Sequence, residues 1–334
     1  MRLGWLTDIH LNFVPPLKRS EFYARLRREK FQGLLLGGDI GESDSVTTFL
    51  AEIADELRIP IYFVLGNHDF YHGTIAAVRE RAAHEALSSP WLHWLTANGV
   101  IPLTPNTALV GHDSWADGRL GDFFRSDVVL NDYLLIGELR GLEKQGLYRK
   151  LNALGDEAAD FIENRALEAL ARFRNVIVLT HVPPFRESCW HEGKISNDDY
   201  LPHFACRAVG DRLAALMRAH PAQTIVVLCG HTHIPRSVRL PDGVCIVNPG
   251  SVGLPAYDDT RPWLHYVETG SPQARYAVVD RSPGTVRVEF IALDYDWESA
   301  SREAAQANRP DWAHALATGY ALRASQASAA EARP

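Results

Sequence analysis

Apolar runs along the chain end repeatedly in polar residues of a few types. The clearest case is residues 61–71 (IYFVLGNHDFY), where an apolar run breaks at Gly66 and continues as Asn67, His68 and Asp69. Such a β-rich run predicts a strand buried on both faces. Ligands of open α/β sheets bind outside the carboxyl ends of the strands, so this cluster is a candidate site. An ordinary strand-to-turn junction, with Asn and Asp as turn formers, explains this single run equally well.

Four further apolar runs end in the same way, and they predict strands at residues 2–6, 33–36, 175–179 and 224–229. Together the five runs deliver seven residues of metal-ligand type: Asp8, His10, Asp39, Asn67, His181, His231 and His233. Turn chemistry explains one such ending, but five endings favour a metal centre over coincidence. His112 and Asp113 follow a predicted strand at 106–110 and are weaker candidates, because a solvated strand end explains them as well.

The segments between these strands predict an α/β fold. Apolar residues at helical spacing predict helices at 21–30, 46–57, 75–87, 156–172 and 210–219, and the Pro15–Pro16 pair predicts no helix directly before residue 21. One further strand is predicted at 244–247, and a hairpin is predicted from 275–280 and 285–291 around Pro283 and Gly284. Stretches of about 114–155 and 183–204 lack periodicity and are interpreted as insertions. We expect one domain over 1–295, with 296–334 as a helical or poorly ordered tail whose end, residues 324–334, has no chemical role.

The composition is that of an ordinary soluble protein. The chain has 334 residues, 46% of them hydrophobic and 22% charged, enough to bury the core of one large domain or two ordinary ones. A net charge of −7 and a pI near 6.1 disfavour extended nucleic acid and favour a small phosphorylated substrate. The four cysteines form no CxxC pair and are expected to be reduced. No run approaches membrane-spanning length and no secretory leader is expected, so we predict a cytoplasmic protein without membrane partners.

The spacing of the candidate ligands predicts how they meet. In an extended segment, residues two apart face the same way, so Asp8 with His10, and His231 with His233, are each expected to face one cavity. Seven oxygen and nitrogen ligands exceed the needs of one tetrahedral zinc ion, but they suit two octahedral ions that share a carboxylate. Asp39 is the natural bridge between them.

These motifs together resemble those of the calcineurin-like binuclear metallophosphoesterases. In chain order, the matching motifs are Asp8-x-His10, Gly38-Asp39, Gly66-Asn67-His68-Asp69, a lone His181 and Gly230-His231-x-His233. The resemblance extends from residue 2 to about residue 253. It implies the family's α/β fold, a two-sheet β-sandwich flanked by helices in αββα layers, here with insertions.

The resemblance also implies roles for the individual residues. One metal would be bound by Asp8, His10 and His233, the other by Asn67, His181 and His231, with Asp39 joining the two. His68 matches the family's catalytic histidine, which contacts the phosphate and protonates the leaving oxygen, and Asp69 would orient it. Two divalent ions are implied, Mn²⁺ first and Fe, Zn, Ni or Co as alternatives, and a hydroxide bridging them would attack the phosphorus.

Two departures from the family's protein phosphatases narrow the substrate. Those enzymes continue the Gly-Asp motif to Asp-Arg-Gly and place Glu after Asn-His, whereas this chain reads GDIGESD and GNHD. The arginine that grips a phosphomonoester dianion is therefore missing, and a diester monoanion needs it less. The leading prediction is a phosphodiesterase for a small nucleotide-like substrate. A nuclease on DNA or RNA ends, a phosphomonoesterase or protein phosphatase, and a non-catalytic binding scaffold are the alternatives.

Specificity is expected in the two irregular stretches. The second carries Arg186, Trp190 and His191, which offer a cation for phosphate and aromatic faces for a base. Packing of this stretch onto the core explains the same residues equally well, because long loops need apolar anchors.

Overall fold

The computed structural model describes residues 1–259, 264–282 and 285–323. Within them the chain forms sixteen strands, which are β1 (Arg2–Leu6), β2 (Leu34–Leu36), β3 (Ile61–Phe63), β4 (Leu92–Trp94), β5 (Ile101–Thr104), β6 (Thr107–His112), β7 (Asn175–Thr180), β8 (Trp190–His191), β9 (Lys194–Ile195), β10 (Thr224–Leu228), β11 (Arg236–Arg239), β12 (Cys245–Asn248), β13 (Ala256–Asp259), β14 (His265–Glu268), β15 (Ala274–Ser282) and β16 (Thr285–Leu293). The helices of the same residues are α1 (Pro16–Arg28), α2 (Val46–Leu57), α3 (Ile75–Ser88), α4 (Asp132–Leu135), α5 (Lys144–Leu170), α6 (Leu201–Phe204), α7 (Arg207–Ala219), α8 (Trp297–Gln306) and α9 (Pro310–Thr318).

Two six-stranded sheets form the centre of the fold. Their strand orders are β16-β15-β1-β2-β3-β4 and β11-β12-β10-β7-β6-β5. Strands β1 to β4 are parallel, as are β6, β7, β10 and β12, while antiparallel strands extend both sheets outward. Because the carboxyl ends of parallel strands meet at one edge, the polar residues after β1, β2 and β3 share an edge, as do those after β7 and β10.

The sheets pack face to face between two layers of helices. Residues such as Trp5 of the first sheet and Ile177 of the second lie in one buried cluster between them. Leu50 of α2 belongs to the core on the outer face of the first sheet, and Ile162 of α5 to that on the outer face of the second. The predicted αββα sandwich is therefore confirmed.

The predicted elements agree with the structure wherever the hydrophobic pattern is local and complete. β1 and α2 have the predicted bounds, and β15 and β16 pair antiparallel as expected, with the turn at Pro283 and Gly284 outside the described residues. Helix α1 differs, because it begins at Pro16 rather than near residue 21. Proline is tolerated at the first helical position, where its missing N–H would have had no partner within the helix.

The first irregular stretch is shorter than predicted. Helix α5 begins at Lys144 and runs through Gly155, so the irregular chain ends at residue 143. A Cβ on Gly155 would lie 2.5 Å from Cβ of Asp117, which means that this glycine permits a close contact between the helix and the stretch before it. Gly155 therefore lies within a packed helix, and the predicted end of the irregular stretch is corrected from residue 155 to residue 143.

The C-terminal segment contributes α8 and α9, and α9 packs against β13. Residues 324–334 lie outside the described chain, and the domain boundary at 295 stays a prediction. Every helix in the described part of the chain is too short or too polar to cross a membrane. The four cysteines are unpaired, and three of them are buried.

Candidate metal centre

The loops that carry the candidate ligands adopt a left-handed backbone conformation. The φ angles are 52° at Asp8, 46° at His10, 52° at Asp39, 68° at His231 and 54° at His233. Side-chain-bearing residues rarely take such angles, and this strain concentrates at functional sites. The Asp-x-His and His-x-His pairs therefore converge through left-handed turns, which corrects the expectation of extended alternation.

Backbone hydrogen bonds hold the loops after β1 and β2 side by side. The N–H of Asp8 donates to the carbonyl of Gly38 at 3.1 Å, and that of His10 donates to the carbonyl of Asp39 at 2.9 Å. The loop after β3 approaches at Gly66, where a Cβ would lie 2.1 Å from Oδ1 of Asp39. Gly66 has no positive φ, so close approach, not a special turn, requires glycine at this position.

The first group of ligand atoms comes from Asp8, His10, Asp39 and His233. One ligand atom from each lies within 4.8 Å of all the others, and all four residues are buried. His233 Nε2 is 3.3 Å from Asp8 Oδ1, and His10 Nε2 is 3.9 Å from Asp39 Oδ2. This group has the composition predicted for one metal together with the bridging carboxylate.

The second group comes from Asn67, His181 and His231. Asn67 Oδ1 lies 2.9 Å from His181 Nε2 and 3.0 Å from His231 Nδ1. His181 Nε2 is also 3.4 Å from Asp39 Oδ1. Asp39 thus faces both groups, one carboxylate oxygen toward each, and the seven predicted ligands lie in one buried cluster.

The contacts of the two ring nitrogens of His181 indicate that its Nε2 atom is suited to bind a cation. Its Nδ1 lies 2.7 Å from the carbonyl oxygen of Gly37, so the ring proton resides there. The amide nitrogen of Asn67 donates to Asp132, which turns the amide oxygen toward His181 Nε2. With the proton of a neutral ring at Nδ1, two acceptor atoms, His181 Nε2 and Asn67 Oδ1, face each other at 2.9 Å, and a divalent cation between them would coordinate both. A donor set of imidazole, carboxylate and amide oxygen fits such an ion.

The electrostatics of the cluster also favour bound cations. Burial raises the pKa of Asp39 well above its ordinary value, and the nearby carboxylates of Asp8 and Asp69 raise it further. Buried like charges of this kind are costly unless they are compensated, as metal ions would do. Burial and the neighbouring histidines lower the pKa of His68 to about 3, so its ring is neutral near pH 7.

His68 lies at the junction of the two groups. Its main-chain N–H donates to Asp39 Oδ1 at 2.9 Å, and its ring stacks on Tyr71 with centroids 4.3 Å apart. The Asp69 carboxylate accepts hydrogen bonds of 2.8 Å from the main-chain N–H groups of Ile40, Gly41 and Gly66. Within the described chain Asp69 makes no hydrogen bond to the His68 ring. Asp69 therefore joins the loops after β2 and β3, which differs from the expectation that it orients His68.

Two contacts to the centre come from residues that the sequence did not single out. Oδ1 of Asp132, in α4 of the first irregular stretch, accepts hydrogen bonds from Asn67 Nδ2 at 2.9 Å and from the Tyr71 hydroxyl at 2.7 Å. Tyr257 of β13 packs edge-on against His233 with centroids 5.1 Å apart. Neither belongs to a recurring motif, and Asp132 is one acid among many in an irregular stretch.

The three residues predicted to contact substrate have partners other than the metal ligands. Arg186 has a side chain that is 49% exposed, and the Trp190 ring is covered by the guanidinium of Arg236 at 3.7 Å. His191 is buried against His265, with ring centroids 3.9 Å apart. In the described part of the protein these three residues make no hydrogen bond, ion pair or ring contact with the seven ligands. For His191 this differs from the sequence-based expectation, because its ring nitrogens are shielded from solvent.

The two weaker candidates have structural partners. Asp113 is buried and accepts hydrogen bonds from the N–H of Leu65 and from Trp94 Nε1. His112 Nδ1 accepts from the N–H of Ser114. Both residues are thus fully engaged at the end of β6, which is a buried and not a solvated strand end.

Comparison with known proteins agrees with this geometry. A family model described as calcineurin-like phosphoesterase matches residues 1–235. A dimetal phosphatase from Danio rerio has a similar fold, with a TM-score of 0.52 at 13% identity over 88% of this chain and 99% of that one. Phosphopantetheinyl hydrolase from Mycobacterium tuberculosis gives a TM-score of 0.51 at 13% identity over 75% of this chain and 89% of that one. No curated protein sequence matches the chain.

Proposed function

Because the chain belongs to the calcineurin-like phosphoesterase family, and so is a hydrolase of phosphoric esters, we propose that it cleaves phosphodiester bonds of a small nucleotide-like substrate. The observation that carries this proposal is the pair of ligand groups that share Asp39. Among the described residues no arginine or lysine forms an ion pair with Asp8 or Asp39. The segment that contains Asp39, GDIGESD, also lacks the arginine with which the family's protein phosphatases grip a monoester dianion, and this supports a diester monoanion as the substrate.

The dimetal centre is assigned to the chain's own residues as follows. We propose that one ion is held by Asp8, His10 and His233, the other by Asn67, His181 and His231, and that Asp39 contacts both. Mn²⁺ is the proposed metal, with Fe, Zn, Ni and Co as alternatives that the same ligand types accept. When bound, such a pair of cations activates water and neutralises negative charge on the phosphoryl group.

His68 is the proposed catalytic residue outside the ligand set. Its ring is neutral near pH 7 because burial lowers its pKa to about 3, so it retains one N–H to donate. Its stacking on Tyr71, and its edge contact with His10 at 4.8 Å, hold the ring beside the first ligand group. From there the N–H is proposed to hydrogen-bond the phosphoryl or leaving oxygen, which stabilises charge that develops in the transition state.

Asp69 and Asp132 are proposed as positioning residues. Asp69 binds main-chain groups of two ligand-bearing loops and thereby sets the distance between Asp39 and Asn67. Asp132 orients the Asn67 amide so that its oxygen, not its nitrogen, faces the histidines. Arg186 remains the proposed cation for a more distant phosphate, since its side chain is exposed.

The experiment combines metal analysis with a pair of substrates. After loading with Mn²⁺, we expect two metal ions per chain and a higher kcat/KM for bis(4-nitrophenyl) phosphate than for 4-nitrophenyl phosphate. A preference for the monoester would contradict the phosphodiesterase proposal. Two bound ions without turnover of either ester would indicate a binding scaffold.

A further inference from the structure

An exposed aromatic side chain lies beside the first ligand group. Phe13 is the last residue of the one-turn helix Leu11–Phe13, which directly follows His10, and it is 51% exposed. Its ring centroid is 6.4 Å from that of His10. Large apolar side chains with this exposure need no explanation when they are scattered over a surface. Phe13 differs because it lies next to a proposed metal ligand.

A second aromatic residue holds Phe13 in place, and it comes from the C-terminal segment. Trp312 of α9 meets the Phe13 ring edge to face, with centroids 4.4 Å apart. The guanidinium of Arg309 lies 3.8 Å from the Trp312 ring centroid, and Asp311 accepts hydrogen bonds from the same guanidinium at 3.0 and 2.6 Å. The indole is thus fixed by a cation–π contact. The C-terminal segment therefore contacts Phe13, the neighbour of His10.

The position of Phe13 and Trp312 determines which part of a substrate they can contact. Because the Phe13 ring lies 6.4 Å from that of His10, an esterified group of a substrate whose phosphorus meets the first ligand group can reach it. A ring held in place by Trp312 loses little conformational freedom when a flat group stacks on its exposed part. Nucleobases stack on aromatic side chains irrespective of base type, because every base has a π-face.

We propose that Phe13, positioned by Trp312, binds the nucleobase of the substrate by stacking. This inference rests on the proposed function, because it takes the phosphate of the same molecule to lie among the metal ligands. It adds to that function a base-binding site formed by residues outside the metal motifs. One of them, Trp312, lies beyond the region matched by the family model.

The test is a binding measurement with two ligands that differ only in the base. Isothermal titration of Mn²⁺-loaded protein with AMP and with ribose 5-phosphate is expected to show tighter binding of AMP by at least about fivefold, the lower end of base-stacking effects. Phe13→Ala should abolish that preference and leave the affinity for ribose 5-phosphate unchanged. Phe13→Trp should retain it.

Two further variants separate stacking from packing. Phe13→Leu keeps an apolar contact with Trp312 but has no π-face, so it should lose the preference with an unchanged melting temperature. Phe290→Ala removes a phenylalanine of similar exposure, 43%, from β16 and should change neither affinity. Wild-type protein that binds both ligands equally, or a Phe13→Leu variant that keeps its preference, would overturn the proposal.

The same measurements distinguish this inference from the proposed function. Turnover of bis(4-nitrophenyl) phosphate without an AMP preference would leave the function standing and reject the base site. An AMP preference that depends on Phe13, in a protein with two metals and no turnover, would support the base site and reject the function.

Discussion

The amide nitrogen of Asn67 lies 2.9 Å from Oδ1 of Asp132, so an acid from an irregular stretch orients a proposed metal ligand. An asparagine side chain presents an oxygen on one side and a nitrogen donor on the other, and only the oxygen can bind a cation. Asp132 holds the nitrogen, and the Tyr71 hydroxyl, which donates to the same oxygen, completes the arrangement. The first irregular stretch thereby becomes part of the metal centre.

We predict that Asp132→Ala lowers metal content and kcat by about 10- to 100-fold, the usual range for partners that orient metal ligands. The reason is that the Asn67 amide becomes free to rotate. Bound Mn²⁺ measured by mass spectrometry, together with kcat, checks this. Asp127→Ala, which removes an exposed acid from the same stretch, is the control and should change neither quantity. Normal metal content in the Asp132 variant would show that the amide is oriented by other contacts.

Asp39→Ala is expected to abolish turnover and to lower the bound metal. Its two oxygens face His10 and His181, which belong to different ligand groups, so no other single residue of the cluster connects them in this way. Metal analysis of the purified variant and an assay with bis(4-nitrophenyl) phosphate measure both effects. A variant that keeps two ions and wild-type rates would refute the assignment of Asp39 as the bridge.

His68→Ala should keep its metals but lose about 10²- to 10³-fold in kcat, the usual cost of removing one hydrogen-bond donor to charge that develops in the transition state. The His68 ring contacts His10 and Tyr71, while its link to Asp39 is through the main chain and survives the substitution. The assay is repeated with excess Mn²⁺. If the variant has lost metal and the excess restores its activity, His68 is a ligand.

Arg186 and Trp190 are expected to respond differently to alanine substitution. Trp190→Ala should lower the melting temperature, because it removes the contact with Arg236, and cation–π pairs contribute about 0.5–1 kcal/mol at exposed sites. Arg186→Ala should leave the melting temperature unchanged and weaken hydrolysis of a nucleotide diester more than that of an aryl diester. Equal losses on both diesters would leave the determinant of specificity outside this stretch.

A pH dependence of stability is predicted at His203. Its ring lies between the hydroxyls of Ser126, at 2.9 Å, and Tyr133, at 2.6 Å, and burial lowers its pKa to about 3. The folded state therefore favours the neutral ring. Its contribution is complete above the ordinary histidine pKa of about 6.5 and is lost as the pH falls toward 3, since the unfolded chain takes up the proton first.

The measurement is the melting temperature of metal-free protein between pH 7.5 and 4, with and without His203→Gln. Glutamine keeps a hydrogen-bonding group between the two hydroxyls but does not titrate. We expect the difference in melting temperature between wild type and variant to shrink as the pH falls below about 6.5. A difference that is constant with pH would show that His203 stabilises the fold without a contribution from its titration.

How much the sequence predicted depends on the range of the interactions involved. The bounds of β1 and α2 were correct because the apolar pattern of each lies within the element itself. The identities of Asp8, Asp39 and His231 as candidates followed from where apolar runs stop, which is also a local feature. The meeting of these residues followed from strand direction, since parallel strands end at one edge of a sheet.

The tertiary structure alone decided how the centre is held and what surrounds it. The left-handed backbone at His10 and His233 depends on contacts between loops, and no pattern in the sequence predicts it. Asp132 reaches Asn67 across 65 positions of the chain, and Trp312 of α9 reaches Phe13 from the opposite end of the described protein. Such contacts form because two distant segments pack on the same core, and their partners leave no periodic signal in the sequence.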